Sequence, residues 1–380
     1  MKTSYLISQP DYFTSKGKGG KISHVIGVIE GLRQNGVDIV FIGESQSSVY
    51  VDKRIESIIV KKTHGLFSNI KYNYKTWRLS VQDKFEYTII RKNIYILLIL
   101  SVLKLFKLNT YNEKTVWEVN GLTYTKHIDH WLGKYVFRVI LTLHKYVLKD
   151  SKCVYVVNKN LKKSLTRGFC KVDDKKIVVI PNGSPKLKSE HTFTINNDVI
   201  RYLYFGVFQE YNNFSLLIEV FNRLNASHNN IELHFVGYGA CESIVNNAVD
   251  NNPNIYNWGP ARIENLSTLN ILTNKTIGLI PMGDKIAASL GSPIKLYEYI
   301  SLGLPIIMSD NTIIEDDLLS SKVLHKYISN DHDSLFLTME QFIYSNNWDS
   351  YKAETLRIQD ATSWKKRMSR LINFLNSKSI

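Results

Sequence analysis

The chain has 380 residues, of which 44% are hydrophobic and 22% charged, so it is long enough for two domains that each bury a core. Its three cysteines are odd in number and far apart, which excludes a disulfide framework and the usual zinc spacings. Residues 1–190 hold 33 Lys and Arg against 15 Asp and Glu, whereas residues 191–380 hold 15 against 19. No zinc-finger, RNA-recognition or helix-turn-helix pattern accompanies this basic first half, so nucleic acid is not the expected partner.

The N-terminal segment predicts a strand, a glycine-rich loop and a helix. Residues 1–10 read as a strand rather than as the long apolar core of a signal peptide, so we expect a cytoplasmic protein. Gly19 and Gly20 would let the backbone approach a ligand closely, and His24 falls one turn into the helix that follows. These three residues are therefore candidates for an acceptor or cleft site. The apolar run 38–42 predicts the next strand.

Two apolar segments of the first half carry basic residues, and both are too short to span a membrane. Residues 93–108 read NIYILLILSVLKLFKL, and residues 131–149 read WLGKYVFRVILTLHKYVLK, whereas a spanning helix needs about 20 apolar residues. Either segment could lie in the interface of an anionic membrane, which together with the basic charge predicts peripheral binding. The alternatives are helices that cover a sheet and an ordinary solvated basic surface.

Alternation of short apolar runs with helical patterns predicts parallel sheets covered by helices. Besides 38–42, the predicted strands include residues 177–180, 201–205 and 277–280. The polar stretch 184–198 separates a first domain, 1–185, from a second, 186–362. The final segment, 363–380, is a basic amphipathic helix.

The most informative stretch is residues 291–305, GSPIKLYEYISLGLP. Ser292 and Pro293 form a turn with Pro293 at the first helical position, and the N–H groups from Ile294 onward make an anion site. Lys295 and Glu298 lie three residues apart and so share one helix face, where the lysine suits a diphosphate and the carboxylate suits ribose hydroxyls. The alternative is an ordinary surface ion pair on an amphipathic helix.

The same stretch resembles the signature of retaining family-four glycosyltransferases, in which a Glu is followed five residues later by Gly and seven later by Pro. Glu298, Gly303 and Pro305 match this spacing. The resemblance extends over most of the chain, through GKGGKISHVIGVIEGLRQNGVDIVFIG, VWEVNG, CVYVVNKNLKKSLTRGFCKVDDKKIVVIPNG, YLYFGVFQEYNNFSLLIEVFNRL, LHFVGYG and NIYNWGPARIENLSTLNILTNKTIGLIPM. It implies an α/β fold of two Rossmann-like domains whose parallel sheets face each other across a cleft, the GT-B type. The helix 363–380 would cross back onto the first domain.

By this resemblance, the second domain binds a nucleotide sugar, with UDP favoured as the nucleotide. The implied donor-binding residues are Gly206, which allows close approach, Trp258 and Arg262 near the base, and Ser292, Pro293, Ile294, Lys295 and Glu298 at the diphosphate and ribose. Two features depart from the family. Leu290 replaces a Glu that meets the donor sugar, and the loop 206–213 lacks the Arg and Lys that the family offers to the diphosphate.

The acceptor would lie on the first domain, near Gly19, Gly20, His24 and Asn120, and would be a phosphate-linked lipid or a growing oligosaccharide of a bacterial surface glycan. Retention of configuration is favoured, with the leaving diphosphate taking the acceptor proton. Inversion instead requires a base, for which Glu118 is the first choice, before Asp11 and Asp129. A different class remains open, a nonenzymatic nucleotide- or glycan-binding protein with a degenerate site.

No metal or other cofactor is expected. Asp331 and Asp333 spell DxD, a pattern that binds metal in other glycosyltransferases, but an apolar helical run follows directly. An N-cap with an acidic first turn explains this pattern better. His127 and His130, on either side of Asp129, fit a polar segment beside the cleft at least as well as a metal site.

Overall fold

The computed structural model describes residues 1–6, 20–43, 56–60, 66–91, 93–110, 112–121, 131–167, 171–187, 198–283 and 292–377. These residues form two α/β units, each with one parallel sheet. This confirms the predicted fold of two Rossmann-like domains. It also confirms the four predicted strands: three fall within observed strands, and the fourth, 177–180, extends one residue beyond the observed strand Ile177–Val179.

The first sheet has seven strands in the order β3-β2-β1-β4-β5-β6-β7, all pairs parallel. Its strands are β1 Lys2–Leu6, β2 Asp38–Gly43, β3 Glu56–Ile59, β4 Tyr87–Arg91, β5 Thr115–Val119, β6 Cys153–Val156 and β7 Ile177–Val179. Its helices are α1 Gly20–Gln34, α2 Leu66–Ser80, α3 Ile94–Leu105, α4 Trp131–Leu148 and α5 Lys159–Arg167. Parallel pairing requires crossovers, which these helices supply.

The second sheet has six strands in the order β10-β9-β8-β11-β12-β13, again all parallel. Its strands are β8 Ile200–Phe208, β9 Ile231–Gly239, β10 Ile255–Asn257, β11 Thr276–Ile280, β12 Ile306–Ser309 and β13 Leu324–Tyr327. The helices that follow are α6 Phe214–Asn225, α7 Glu242–Asn251, α8 Ile294–Ser301, α9 Asp316–Leu319, α10 His332–Ile343, α11 Trp348–Thr362 and α12 Trp364–Asn376.

Apolar side chains cover both faces of each sheet, as expected for parallel strands with helices on both sides. The last helix, α12, packs against α1 of the first unit, where Trp364 and Met368 join the core on one face of the first sheet. Gly27 and Gly31 make room for it, because a Cβ on Gly27 would lie 2.1 Å from the Trp364 indole nitrogen. The chain thus returns from the second unit to the first.

Of the predicted boundary 184–198, the structure describes its ends, and residues 188–197 lie outside the described residues. Ser184 forms an isolated bridge with Ser363. This contact does not locate the end of the first domain, so the boundary at 185 stays a prediction. None of the described helices is long and apolar enough to cross a membrane.

Candidate active site

The helix α8 carries Lys295 and Glu298 at the edge of the second unit. It begins at Ile294 with Pro293 at the cap position, so the expectation of Pro293 inside the first turn is wrong by one residue. The restricted φ of proline, here −70°, suits either position, which explains the shift. Gly303 follows the end of the helix at φ +75°, a conformation that glycine adopts readily.

Glu298 is not part of a surface ion pair, since its side chain is only 4% exposed. Burial raises the pKa of Glu298 to about 7, although a hydrogen bond with Ser23 and the charge of Lys295 oppose this rise. Ser23 lies on α1, so the carboxyl group reaches the first unit. The surface-pair alternative is therefore excluded for this helix.

Lys295 lies against Tyr204 at the carboxyl end of β8. Its Nζ donates a hydrogen bond to the Tyr204 hydroxyl at 2.6 Å and stands 4.0 Å from the centre of that ring. Burial lowers the pKa of Lys295 to about 7, and the nearby Glu298 opposes this effect. The ammonium group has no carboxylate ion pair among the described residues, so its charge is available to an anion.

Glycines form the floor beneath Lys295. Gly206 has φ +138°, and a Cβ built there would lie 3.4 Å from Lys295 Cε. Gly237, the partner of Gly206 across β8 and β9, is tighter still, because a Cβ there would meet the Gly206 carbonyl oxygen at 1.8 Å. Protein atoms fill the place of a side chain at both positions, so glycine here lets Lys295 and the two strands pack closely.

Aromatic rings extend this floor toward β10. Tyr256, Trp258 and His234 stack on one another, with His234 4.9 Å from Tyr256 and 6.1 Å from Trp258. The Trp258 indole donates to His234 Nδ1 at 3.0 Å, and His234 Nε2 faces Glu232 at 2.9 Å. Trp258 keeps 42% of its surface exposed.

The first unit contributes a buried cluster around Glu118, which ends β5. Its carboxylate is fully buried, and five groups surround its two oxygens. At Oε1 these are His24 Nε2 at 2.9 Å, Arg91 at 2.9 Å and the Asn120 amide at 2.6 Å, and at Oε2 they are the hydroxyls of Tyr5 at 2.6 Å and Tyr155 at 2.5 Å. All of these residues lie at or near carboxyl ends of strands, except His24 on α1.

Burial by itself raises the pKa of Glu118, but the charges of Arg91 and His24 and the surrounding hydrogen bonds outweigh it. The pKa of Glu118 is therefore held far below its ordinary value. A carboxylate that is saturated with donors and hard to protonate is a weak proton acceptor. The geometry accordingly favours a positioning role for Glu118 over the expected role as a catalytic base.

The two units meet through polar contacts between the two candidate regions. Asn182, which follows β7, accepts from His24 Nδ1 at 2.6 Å and donates to the Ser292 carbonyl at 2.7 Å. Arg367 of α12 is 1% exposed and forms a two-pronged ion pair with Glu315. Through Asn182, the start of α8 is linked to the His24 cluster.

Some of the remaining predicted residues lie within the described ranges, and the others lie outside them. Gly20 begins α1, and Asn120 lies partly buried beside His24. Asp331 caps α10, since its side chain accepts from Ser334 N at 2.8 Å, which confirms the cap reading of DxD. Other candidates lie outside the described residues, namely Gly19, Asp11, His127, Asp129, His130, Leu290 and Gly291.

Several contributors were missed from the sequence, among them Tyr204, Gly237, Asn182, Arg91 and Tyr155. Arg91 and Asn182 directly end or follow strands β4 and β7, so the carboxyl edge of the sheet was the signal available for them. For Tyr204 the sequence carried no such signal, because it lies inside a continuous apolar run. Among the described residues, no group of three or more His, Cys, Asp or Glu side chains is placed to hold a metal ion.

We compared the chain with known protein families, curated sequences and solved structures. Residues 200–334 match the family described as "Glycosyl transferases group 1". No curated protein sequence matches the chain significantly. Among solved structures, the chain is similar to sucrose-phosphate synthase from Thermosynechococcus elongatus, with 13% identity, 99% of each chain covered and a TM-score of 0.68.

Two further structures share the whole architecture. WaaG, a glycosyltransferase involved in lipopolysaccharide biosynthesis, has 11% identity, 99% of each chain covered and a TM-score of 0.67. Anabaena Alr3699/HepE, solved in complex with UDP and glucose, has 8% identity, a TM-score of 0.66, and covers 98% of this chain and 99% of its own. At such identities the likeness shows the fold alone, which is the GT-B fold. The second unit carries a domain of the group 1 glycosyltransferase family, and the family indicates a transferase.

Proposed function

We propose that the protein transfers a sugar from a nucleoside diphosphate sugar, with UDP favoured, to a phosphate-linked lipid or growing oligosaccharide of a bacterial surface glycan. The observation that carries this proposal is the Lys295 ammonium group, held by Tyr204 above the glycine floor at the start of α8. A cation and free helix N–H groups together suit a diphosphate. WaaG and the UDP complex of HepE support the substrate class by similarity of fold.

The donor lies along the carboxyl edge of the second sheet. Its diphosphate contacts Lys295 and the α8 terminus at Ser292, Pro293 and Ile294, and passes over Gly206. The ribose hydroxyls then replace Ser23 as partners of Glu298, whose carboxyl group already accepts a hydroxyl. The base stacks near the exposed face of Trp258, with Arg262 beside it.

The acceptor lies against the first unit, beside His24 and Asn120, and the predicted contacts Gly19 and Gly20 stay candidates for it. Asn120 Oδ1 is buried and has no hydrogen-bond partner among the described residues. A carbonyl oxygen accepts hydrogen bonds only, so it suits an incoming hydroxyl group. This atom orients the acceptor toward the donor across the cleft.

The saturated state of Glu118 supports the retaining mechanism. The bond between the anomeric carbon and the diphosphate oxygen breaks, the bond to the acceptor oxygen forms on the same face, and the acceptor proton passes to the leaving diphosphate. The protein then contributes positioning and charge stabilisation rather than a base. Lys295 offsets the charge that develops on the leaving group, and no metal or other cofactor is required.

We place the enzyme in the cytoplasm, bound peripherally to the inner face of the plasma membrane. The helix α3 contacts α2 on one side and α4 on the other. Large apolar side chains on these three helices are exposed, including Phe67 at 86%, Leu105 at 71% and Tyr135 at 67%. Exposed Lys107 and Arg138 lie among them, and this mixture suits an anionic bilayer surface.

The test is a binding panel followed by a transfer assay. Thermal shifts with UDP, GDP and ADP should show stabilisation by UDP in particular. A UDP-sugar and a lipid-linked acceptor should then give product in EDTA, with the anomeric configuration retained. Absence of binding to every nucleoside diphosphate would contradict the donor site, and loss of transfer in EDTA that manganese restores would contradict metal independence.

The second candidate is a nonenzymatic nucleotide- or glycan-binding protein with a degenerate site. The segment 206–213 at the end of β8 favours it, because Val207 and Asn212 occupy a region where the resembled family supplies an Arg and a Lys. Asn212 is 3% exposed and its amide donates to the Val207 carbonyl at 3.3 Å. Binding of UDP without hydrolysis or transfer of any UDP-sugar would support this candidate.

A further inference from the structure

A ring of hydrogen bonds connects the start of α8 to helix α12. Arg367 on α12 is 1% exposed and forms a two-pronged ion pair with Glu315, whose side chain is 14% exposed. The Arg367 Nε also donates to the Asn182 carbonyl at 3.2 Å, and the Asn182 amide donates to the Ser292 carbonyl at 2.7 Å. The guanidinium group is therefore linked to Ser292 from one side.

Tyr297 closes the ring from the other side. It lies on α8, is 1% exposed, and its hydroxyl donates to Glu315 Oε1 at 3.0 Å. The same hydroxyl forms a hydrogen bond with the side chain of Ser292, which stands just before the helix. The Arg367 guanidinium stands 5.7 Å from the centre of the Tyr297 ring. Ser292 is thus held at both its carbonyl and its hydroxyl.

The ion pair fixes the direction of the hydroxyl hydrogen bonds. A carboxylate only accepts hydrogen bonds, so the single hydroxyl proton of Tyr297 points to Glu315. Burial and the charge of Glu315 raise the pKa of Tyr297, so this proton is retained at neutral pH. Ser292 must therefore donate its own hydroxyl proton to the Tyr297 oxygen. That proton is then not available to a bound anion.

The hold on Ser292 matters for the N–H groups that follow it. The first N–H groups of a helix have no partner within the helix, so they can donate to an anion that the preceding turn leaves in reach. Pro293 caps α8 without a side-chain hydrogen bond, and a proline has no N–H of its own. Ser292 therefore anchors the turn before α8.

We propose that Tyr297 is a positioning residue for the donor: by accepting the Ser292 hydroxyl proton, it holds the turn before α8 so that the first N–H groups of the helix face the diphosphate. This role depends on the proposed function, which places the diphosphate at this helix start. Arg367 and Glu315 fix the direction of the Tyr297 hydroxyl. Helix α12, which packs on the first unit, thereby acts on the donor site without touching the ligand.

Calorimetry with UDP tests this role in Tyr297→Phe, which keeps the ring and removes only the hydroxyl. The affinity for UDP should fall about fivefold, the effect of one hydrogen bond of about 1 kcal/mol. Ser292→Ala should give a similar loss. The double variant should be no weaker than either single variant, because both changes break the same bond.

Tyr202→Phe is the matched control. Tyr202 is also fully buried in the second unit, and its hydroxyl donates to the Met339 carbonyl at 2.8 Å. The change therefore removes a buried tyrosine hydroxyl and its hydrogen bond, as Tyr297→Phe does, but away from Ser292. This variant should bind UDP with the affinity of the wild type.

Hydrogen exchange of the protein without ligand supplies a second readout. The Leu296 amide donates to the Pro293 carbonyl at 3.2 Å, across the turn that Ser292 anchors. In Tyr297→Phe this amide should exchange about fivefold faster than in the wild type, relative to the amides of β11, because the turn opens more often. In Tyr202→Phe the relative rate should not change.

Unchanged or higher UDP affinity in Tyr297→Phe would overturn the proposal, since the Ser292 hydroxyl would then serve the diphosphate directly. Additive losses in the double variant, about 25-fold in total, would also overturn it, as would an equal loss in Tyr202→Phe or an unchanged exchange rate at Leu296 in Tyr297→Phe. Failure of the proposed function looks different. In that case the wild type does not bind UDP, which removes the donor role, whereas the faster exchange at Leu296 in Tyr297→Phe persists.

Discussion

The two sides of the cleft differ in how fully their charged groups are already engaged. On the first unit, Arg91, His24 and three further donors surround Glu118, and its pKa lies far below the ordinary value. On the second, burial moves the pKa of both Lys295 and Glu298 to about 7, and their partners are hydroxyl groups. A carboxylate whose oxygens already accept several hydrogen bonds stabilises the local structure. A charged group with few partners can still bind a ligand.

This difference predicts that removing a charge destabilises the protein much more on the first unit than on the second. Glu118→Gln leaves Arg91 and His24 buried beside an uncharged group, so the free energy of unfolding should fall by about 3–5 kcal/mol. Glu298→Gln should lose far less, because ionising Glu298 is itself unfavourable in the folded state. Urea unfolding at pH 8 measures both changes.

Glu30→Gln provides the control for this comparison. Glu30 forms a half-buried i,i+3 pair with Arg33 on α1, so its loss should change stability by no more than about 1 kcal/mol. If Glu118→Gln were as stable as this control and yet lost transfer, Glu118 would be a base and the two sides would not differ as described.

The pKa near 7 predicts that UDP binding depends on pH. Above roughly pH 7, Lys295 loses its proton and Glu298 gains a negative charge, and both changes weaken diphosphate binding. The association constant should therefore fall by up to about tenfold per pH unit between roughly pH 7 and 9. Lys295→Arg, which keeps its charge, should reduce this slope. Calorimetry that shows equal slopes for both proteins would contradict the assignment.

Membrane binding should depend on the first unit alone. Each exposed basic residue near an anionic surface contributes about 1 kcal/mol, and this attraction decays over about 8 Å at physiological salt. Replacing Lys107 and Arg138 by Gln should reduce sedimentation with anionic liposomes at low salt while UDP affinity stays the same. Lys322→Gln with Lys326→Gln, both exposed on the second unit, is the control. Equal sedimentation with neutral and anionic liposomes at every salt concentration would contradict a charge-based anchor.

The smallest effect is expected at the DxD sequence. Asp331→Asn keeps a side-chain oxygen at the cap of α10, and Asn caps helices about as well as Asp. Transfer rates should therefore stay within about twofold of the wild type, in EDTA as in its absence. A large loss that manganese reverses would assign this pair to a metal.

The fold was predictable because its signals are local and repeated, whereas parts of the site were not. Apolar runs such as 201–205 and 277–280 predicted buried parallel strands. The three-residue spacing of Lys295 and Glu298 predicted that both side chains lie on one face of α8. The burial of Glu118 did not, because its partners come from four separate elements, and no spacing in one segment reveals a cluster assembled by the sheet.

The same reason explains why the sequence did not predict Asn182 as a contact between the two units. Its partners, His24 and Ser292, lie 158 and 110 residues away along the chain. A strand end at a parallel sheet predicts that a polar residue faces the cleft. It does not predict which residue of the other unit will meet it there.

The central claim is that Lys295 holds the diphosphate of the donor, and calorimetry with UDP tests it most directly. Removing a charge-assisted hydrogen bond in Lys295→Ala should weaken UDP binding by about 2 kcal/mol, or about 30-fold. Lys322→Ala, an exposed lysine on the same unit, should leave the affinity unchanged. The account predicts that only the first variant loses affinity; unchanged UDP affinity in Lys295→Ala would contradict it.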